Sequence, residues 1–409
     1  MPGVVASRDE DRTRNNSVVK FLFIGPGYPG VPKAGHGTGI GTYLYELTQG
    51  LTEKGHECHV IVWGSVIRQP DGIEGPHMVE GVRCYVLGRT YWPLIERVLP
   101  DSRDAHNLVR EARALDARHH FDWIEVENEE GLDIGLQRAF PDKLILRIHT
   151  TALQMAHTKK VSQRWAHRYR LQREVRSFRR ARRTMTHLSR HADELMRLYP
   201  GMLAPKVVPH GIQIRRDQDG AFQNQKRRPR NGAASFLVVG TPDPRKGFDR
   251  IRPVAERYVS KFGPCTVAIV SKINDYHRNR FDLLPPYPEG LTIDWLGSLP
   301  RDLMLAAYSQ HDALFFPSRY ESFGFPLIEA AAYGMAIVTS DVGVASELMT
   351  GDLASYVIDI EDAEACAAAL HAAVLDRDNI AEQMRESYAN RYTREAMVER
   401  YETVVQGLD

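Results

Sequence analysis

Hydrophobic residues in this chain form short unbroken runs, separated by longer segments in which apolar positions recur every three or four residues. The first run, Val18–Ile24, stops at Gly25, and helical spacing follows over residues 41–54. An unbroken apolar strand is typical of a parallel sheet covered on both faces. Similar runs lie at 58–63, 83–88, 123–126, 144–148, 185–188, 206–208, 236–239, 266–270, 291–297, 313–316, 336–339 and 356–359. Strands alternating with helices in this way predict an α/β fold.

One polar, basic segment interrupts this alternation. Residues 213–233 lack apolar periodicity, which predicts a linker between residues 18–212 and 234–390. Each half has its own series of strands and helices, so we predict two tandem Rossmann-like, doubly wound domains. Ligands bind beyond the carboxyl ends of the strands in such sheets, so the expected site is the cleft between the domains. Residues 1–17 mix acids with bases and predict a disordered tail.

Composition indicates the cellular compartment that we expect for the protein. Its 409 residues are enough for two hydrophobic cores, and four widely separated cysteines form no C-x-x-C pair. This pattern argues against a disulfide framework and a structural zinc module, and it fits a reducing cytoplasm. No apolar run approaches the ~18 residues that would span a bilayer. A cytoplasmic protein is therefore expected.

The net charge of +1 conceals a basic first half and an acidic second half. Residues 1–230 hold 37 Lys and Arg against 26 Asp and Glu, whereas residues 231–409 hold 16 against 26. Most of the excess lies in residues 159–183, where eleven bases accompany one acid. Leu171, Val175 and Phe178 follow helical spacing, which predicts an amphipathic helix with a basic outer face.

Three interpretations of this basic helix are open. It is a solvated face, a peripheral contact with an anionic membrane or anionic acceptor, or a nucleic-acid surface. Aromatic residues are not interleaved with the charges, and no nucleic-acid fold signature is present. We therefore expect no nucleic-acid partner, and a membrane contact would be peripheral, at the inner face.

The densest chemical signal lies in residues 317–334, directly after the predicted strand 313–316. Pro326 suits the first turn of a helix, so the backbone N–H groups before it would face the cleft with the positive helix end. That arrangement predicts an anion site. Glu321 precedes this helix and Glu329 lies within it.

A second signal would bring positive charge to the same place. Arg245 and Lys246 follow the first strand of the second half, within Gly240–Gly247. Two cations there would meet an anion held at the helix start and would stabilise charge that grows on a leaving group.

The first half contributes two weaker signals. Gly39 and Gly41 precede a predicted helix and permit close backbone approach to a ligand. His149 ends a buried strand, so its side chain should enter the cleft. Residues 25–30 match G-x-G-x-x-G, but the two prolines inside the motif argue against a dinucleotide site.

Taken in order, these motifs resemble the retaining GT-B glycosyltransferases of glycosyltransferase family 4. The resemblance covers roughly residues 18–390 and includes residues 207–212 together with the motifs above. It implies a nucleotide-diphosphate sugar held mainly by the second domain and a hydroxyl acceptor (a glycan, a lipid or a small metabolite) held mainly by the first. It also implies that a helix in residues 391–409 returns to the first domain, and that no metal or other cofactor is needed.

The resemblance assigns roles to individual residues. The implied catalytic residues are His149, Glu321 and Lys246. The implied donor-binding residues are Gly39, Gly41, Arg245, Lys246, Ser322, Phe323, Gly324, Phe325 and Glu329. Of these, Arg245 and Lys246 hold the diphosphate and Glu329 holds the ribose.

Two departures from the family pattern leave alternatives open. Thr241 stands where the family often has Arg, and His210 stands where Asn before a glycine is common. They leave the identity of the donor open. A GT-B-like sugar-nucleotide epimerase is an alternative function, and a non-catalytic sugar-nucleotide-binding module is another, supported only by Thr241.

Overall fold

Two parallel β-sheets organise the chain in its computed structural model. The structure describes residues 18–32, 39–63, 73–88, 101–129, 131–158, 165–214, 232–272 and 274–408. The predicted tail and most of the predicted linker lie outside these residues, as do residues 159–164 of the basic segment.

The first sheet has eight strands in the order β3-β4-β2-β1-β5-β6-β7-β8, and all pairs are parallel except β3 with β4. Its strands are β1 (Lys20–Gly25), β2 (Glu57–Val62), β3 (Ile73–Val79), β4 (Val82–Leu87), β5 (Trp123–Glu127), β6 (Leu144–Arg147), β7 (Thr184–Thr186) and β8 (Lys206–Val207). The apolar run of β1 is buried because the sheet is covered on both faces.

The second sheet has five parallel strands in the order β11-β10-β9-β12-β13. Its strands are β9 (Ala234–Val239), β10 (Cys265–Val270), β11 (Leu291–Gly297), β12 (Ala313–Phe316) and β13 (Ala336–Thr339). This is the doubly wound order, with helices on both faces.

Fourteen helices with described bounds cover the sheets. They are α1 (Gly39–Glu53), α2 (Ser102–His119), α3 (Ile134–Ala139), α4 (Ala152–Thr158), α5 (Trp165–Arg180), α6 (Ser189–Leu198), α7 (Phe248–Phe262), α8 (Asp275–Arg280), α9 (Arg301–Gln310), α10 (Phe325–Ala332), α11 (Ala345–Leu348), α12 (Ala363–Leu375), α13 (Arg377–Arg391) and α14 (Arg394–Gln406). Two short 3-10 turns, Pro244–Lys246 and Gly351–Tyr356, complete the described helical elements.

Two strand assignments from the sequence are wrong. Strand β3 was not predicted because it is an edge strand with polar, exposed positions and a proline, so it lacks an apolar run. The predicted strand 356–359 is a single bridge between Val357 and Thr339. The chain leaves a 3-10 turn just before it and turns away after it, where the Glu361 N–H donates to the Asp359 side chain at 3.0 Å.

The basic helix also differs from the predicted one. Among the described residues it spans Trp165–Arg180 and stops four residues before β7. Its bases do not all face outward: Arg173 is buried, and Arg170 donates to Asp101 at 2.8 Å. The exposed charges are therefore concentrated at its C-terminal end and in the segment that follows.

In each sheet the early strands are added on one side of the first strand and the later strands on its other side. This switch lies between β1 and β5 in the first sheet and between β9 and β12 in the second. At such a switch point the loops after the strands part and leave a crevice. In the second sheet those loops are Gly240–Gly247 after β9 and residues 317–324 after β12, here called the β12–α10 loop.

The two domains are joined by two crossing segments. Ile212 pairs with Thr393, and the Arg394 N–H donates to the Ile212 carbonyl at 3.1 Å. Beyond this crossing, α14 packs in the core of the first domain, where Tyr401 lies against Phe21 of β1.

Candidate active site

The turn after β9 and the β12–α10 loop fit closely against each other. Gly247 has φ +64°, and a Cβ there would lie 1.8 Å from the Pro317 carbonyl oxygen. The Arg319 N–H donates to the Arg245 carbonyl at 2.6 Å, which ties the same two segments together. Backbone contact of this kind holds the charged side chains of the turn beside the loop.

Lys246 reaches Glu321 within this fit. Its ammonium contacts a carboxylate oxygen of Glu321, which also accepts a hydrogen bond from the Ser318 hydroxyl at 2.9 Å. The side chains of Lys246 and Glu321 are 20% and 10% exposed, so both lie at the floor of the crevice. The structure thus brings together two of the residues that the sequence assigns to catalysis.

Arg245 has a different setting from Lys246. Its backbone N–H donates to Asp243 at 3.0 Å and its Nε lies 3.3 Å from the same carboxylate oxygen. Asp243 caps the 3-10 turn, so Arg245 is partly neutralised by its own turn.

Helix α10 begins beside Glu321. Gly324 takes φ +91° as the residue before the helix, and Pro326 follows in the first turn. The Phe323 carbonyl accepts from the Val344 N–H at 2.8 Å, and a Cβ on Gly343 would lie 2.0 Å from that carbonyl oxygen. Close packing therefore fixes the backbone of the β12–α10 loop, and the positive end of α10 lies at the crevice.

Glu329 lies one turn further into α10. It accepts a hydrogen bond from the hydroxyl of Tyr308, on α9, at 2.6 Å. Burial, and then the neighbouring Glu329 charge, raises the pKa of Tyr308 well above its usual value, so this hydroxyl stays a donor. The bond orients the Glu329 carboxylate near the start of the helix.

Gly39 and Gly41 lie in the first turn of α1 and not in the loop before it. A Cβ on Gly39 would lie 3.4 Å from Cδ2 of Phe325, so the start of α1 is directly opposite the start of α10. That distance is an ordinary van der Waals contact, so Phe325 would pack against a small side chain at position 39.

His149 lies two residues after β6 and is 7% exposed. Its Nε2 contacts the carboxylate of Glu127, and its ring lies 5.5 Å from that of Tyr43. Burial, then the charge of Arg147, lowers the pKa of His149 to about 3, and burial raises the pKa of Glu127. The imidazole is therefore neutral and lies under the crevice, with little of it open to solvent.

Two further histidines reach the β12–α10 loop from the first domain, and the sequence reasoning did not assign them to the site. His187 Nε2 lies 2.7 Å from the Ser322 carbonyl oxygen. The ring of His210 stacks on Phe325 at 5.3 Å and 9° and meets Phe323 edge-on at 4.7 Å. Each follows a strand at the carboxyl edge of the first sheet, the rule that singled out His149, but the strands are only two or three residues long.

Two groups of possible metal ligands occur among the described residues: His149, His187 and His210, and Glu57, His59 and His119. An arginine lies against each group. Arg147 Nη2 is 3.3 Å from His210 Nδ1, and Arg83 Nη1 is 2.8 Å from the Glu57 carboxylate. A guanidinium keeps its charge and only donates, so it occupies ligand atoms and repels a cation. Each arginine thus competes with a cation for one ligand atom of its group.

Two doubly wound parallel sheets in tandem, in contact through the segments that follow their strands, define the class of the fold, which is GT-B. Solved structures agree with this class. Sucrose-phosphate synthase from Thermosynechococcus elongatus aligns over 95% of this chain and 99% of its own with a TM-score of 0.73 and 19% identity. The catalytic domain of starch synthase IV from Arabidopsis thaliana aligns over 96% and 99% with a TM-score of 0.66 and 13% identity.

The family follows from the sequence comparisons. Residues 37–216 match the profile of "Glycosyltransferase Family 4", and residues 221–391 match "Glycosyl transferases group 1". The chain therefore belongs to the GT-B glycosyltransferases of the family 4 type.

Curated relatives match over part of their length. Glycogen synthase from Mycobacterium tuberculosis is 28% identical over 202 residues, 49% of this chain and 47% of its own. The phosphatidyl-myo-inositol mannosyltransferase of Mycolicibacterium smegmatis is 26% identical over 186 residues, 45% of each protein. The chain thus matches about half the length of these relatives.

Among the described residues no helix combines the length and the apolar character needed to cross a bilayer.

Proposed function

We propose that this protein is a retaining hexosyltransferase that moves a hexosyl group from a nucleotide-diphosphate sugar to a hydroxyl acceptor. The observation that carries the proposal is the meeting of Lys246, Glu321 and the start of α10 at the switch point of the second sheet. A cation, a carboxylate and a positive helix end at one crevice suit a sugar diphosphate, since the cation and the helix end match the diphosphate and the carboxylate matches the hydroxyls of the sugar.

In this proposal the diphosphate lies at the start of α10. Lys246 and the backbone N–H groups of residues 322–325 bind its oxygens, and Arg245 adds charge from the turn. Glu329, oriented by Tyr308, accepts hydrogen bonds from the ribose hydroxyls. Glu321 and His149 face the sugar, and Gly39 and Gly41 leave room for the phosphates at the start of α1.

The transfer retains configuration when the acceptor attacks on the face from which the diphosphate departs. The bond from the anomeric carbon to the phosphate oxygen breaks, and the bond to the acceptor oxygen forms. The hydroxyl proton passes to the departing phosphate, so no enzyme nucleophile is needed. The protein's contribution is to position both substrates and to stabilise the growing charge on the diphosphate. Lys246 and the helix end supply that stabilisation, so the proposed reaction is independent of metal.

The acceptor is proposed to bind on the side of the first domain, and its class (glycan, lipid or small metabolite) is left open. Several exposed arginines at the end of α5 and just after it, among them Arg176, Arg180 and Arg182, offer a peripheral contact with an anionic surface. Flotation with neutral and anionic vesicles checks this contact. Variants in which these arginines are substituted are compared with a control in which the exposed Arg113 and Arg118 of α2 are substituted.

A thermal-shift panel of UDP, GDP, ADP and dTDP tests the donor site. A nucleotide present at 100 times its Kd should add about 2.7 kcal/mol to the free energy of unfolding. Lys246→Ala and Glu329→Ala should remove the shift, whereas Lys261→Ala, at an exposed pair with Glu364, should keep it. Equal shifts in all variants would contradict the proposed donor site.

Turnover then separates the proposed function from its alternatives. A transferase consumes the matching sugar nucleotide much faster with an acceptor present, and NMR of the product shows the anomeric configuration of the donor. Isomerised donor without acceptor would indicate an epimerase. Binding without any turnover would indicate a non-catalytic module.

A further inference from the structure

Four buried histidines lie together on the first-domain side of the contact between the domains. They are His149, His187, His191 and His210, and neighbouring rings stand 4.4–5.9 Å apart. Two of them, His187 and His210, touch the β12–α10 loop of the second domain. We call this group the histidine cluster.

The neighbours of His210 fix which ring nitrogen carries its proton. Arg147 Nη2 lies 3.3 Å from His210 Nδ1, and a guanidinium only donates hydrogen bonds. Nδ1 must therefore accept, and the neutral ring carries its proton on Nε2. Burial lowers the pKa of His210 well below its usual value, which keeps the ring neutral.

His187 has the complementary arrangement. Its Nε2 faces the Ser322 carbonyl oxygen at 2.7 Å, and a carbonyl only accepts, so the proton lies on Nε2 and Nδ1 keeps a lone pair. His210 Nε2 and His187 Nδ1 are both buried without a hydrogen-bond partner among the described residues. The two rings lie side by side, with centroids 4.9 Å apart, and each has one nitrogen fixed by a neighbour, Arg147 for His210 and Ser322 for His187.

The Ser322 carbonyl belongs to the same peptide group as the Phe323 N–H. In a trans peptide the carbonyl and the following N–H point in opposite directions. Fixing the Ser322 carbonyl therefore also fixes the direction of the Phe323 N–H, one of the backbone donors proposed to bind the diphosphate. Since His187 and Ser322 belong to different domains, the bond requires the domains to be in contact.

We infer that His187 and His210 are positioning residues that hold the β12–α10 loop in the conformation that binds the donor diphosphate when the two domains meet. The inference rests on the proposed function, because the ligand whose binding is strengthened is a nucleoside diphosphate. His187 and His210 thus link contact between the domains to the affinity of the anion site.

Substitutions at position 187 can distinguish the effect of the hydrogen bond on nucleotide binding from the effect of the volume of the ring. His187→Gln keeps an N–H donor near the position of Nε2, whereas His187→Leu keeps the bulk and removes the donor. Isothermal titration with the nucleotide that gives the largest thermal shift should show Kd raised about ten-fold in the leucine variant. The glutamine variant should stay within about three-fold of the unsubstituted protein. In steady-state kinetics, KM for the donor should rise more than kcat falls.

His191→Leu is the matched control. His191 is buried and stacks on His187 at 4.4 Å, but it bonds to Thr186 and Gln154 within its own domain. It should lower stability and leave nucleotide affinity unchanged. Equal Kd values for the leucine and glutamine variants at position 187 would overturn the inference.

A second pair keeps the test decisive if His187→Leu does not fold. His210→Asn retains an acceptor for Arg147 and a donor on the other side, whereas His210→Leu has neither. The asparagine variant should bind the nucleotide about ten-fold more tightly than the leucine variant, and equal affinities would overturn the inference. If the unsubstituted protein binds none of the four nucleotides, the proposed function and the inference fail together.

Discussion

Single glycines decide how closely the segments of the site approach. Gly247 and Gly343 both take positive φ, and both bring the chain against a carbonyl oxygen of residues 317–323. A side chain at either position would meet backbone, which cannot rotate away as a flexible side chain can. The close packing of these segments therefore requires that positions 247 and 343 have no Cβ atom.

Gly247→Ala should show this directly. The added Cβ would lie 1.8 Å from the Pro317 carbonyl oxygen, so the turn bearing Lys246 must shift. We expect the nucleotide Kd to rise at least ten-fold and the melting temperature to fall. Gly55→Ala is the control, since Gly55 also has positive φ (+89°) but has nothing within 4 Å of the added atom. It should cost only the roughly 1–2 kcal/mol of left-handed strain and leave binding unchanged. Similar effects of the two substitutions on binding would contradict this view.

At the scale of elements, α14 closes the first domain although it comes last in the chain. Arg394 donates to Glu46 at 2.8 Å and to Glu53 at 2.7 Å, and the pair with Glu46 is almost fully buried. Gly50 permits this approach, because a Cβ there would lie 2.5 Å from Val398. The helix thus makes the folding of the first domain depend on the C-terminal residues.

Arg394→Met should therefore be strongly destabilising. It removes the guanidinium from the buried pair with Glu46, a change that costs roughly 3–5 kcal/mol. Lys54→Ala is the matched control, since Lys54 directly follows α1 and its pair with Glu402 of α14 is partly exposed and contributes under about 1 kcal/mol. Urea denaturation of both variants measures the difference. A loss from Arg394→Met no larger than that from Lys54→Ala would show that the buried pair does not hold the helix.

At the scale of the whole molecule, buried ionisable groups make stability depend on pH. Burial lowers the pKa of five buried histidines, to about 3 for His149 and His191 and to about 4 for His59. The remaining two are His187 and His210. Burial acts in the opposite direction on three carboxyl groups, Glu125, Glu127 and Asp133, whose pKa values are raised.

The balance of these groups predicts acid sensitivity. Near pH 5, below the usual histidine pKa of about 6.5, the unfolded chain binds about five protons at these histidines, whereas the folded chain binds at most three at these carboxyl groups. Because the unfolded state binds at least about two more there, the free energy of unfolding should fall by roughly 3 kcal/mol per pH unit near pH 5, and less steeply at pH 6.5, where the unfolded histidines are only half protonated. Denaturation curves at several pH values measure the slope. His191→Gln should reduce it by about one proton, and exposed His106→Gln should not change it. A flat profile would mean that the histidines are not held neutral.

Much of the fold was predictable because parallel strands buried on both faces must be apolar throughout. The apolar runs predicted the strands of both sheets, with two exceptions. Strand β3 is an edge strand with polar positions, and residues 356–359 are apolar enough for a strand but form one bridge. Pairing at a sheet edge depends on which strand lies next to it in space, and the local hydrophobic pattern does not contain that information.

The candidate site was predictable where chemistry follows a strand end. Lys246, Glu321 and Glu329 lie at the crevice, as their positions after β9 and β12 suggested. His187 was overlooked because the predicted strand, 185–188, included it, whereas β7 ends at Thr186, and Tyr308 was overlooked because it lies inside an ordinary helix. Their roles in the structure come from partners 135 and 21 positions away along the chain.

The order of residues by itself determined the class of fold, the family and the segments that line the crevice, because these depend on periodicity and on short motifs. Tertiary structure alone decided that Lys246 faces Glu321, that Arg394 is buried with Glu46 and that four histidines gather beside the β12–α10 loop. Those contacts join residues far apart in sequence, and their energies depend on burial, which arises only when the domains pack.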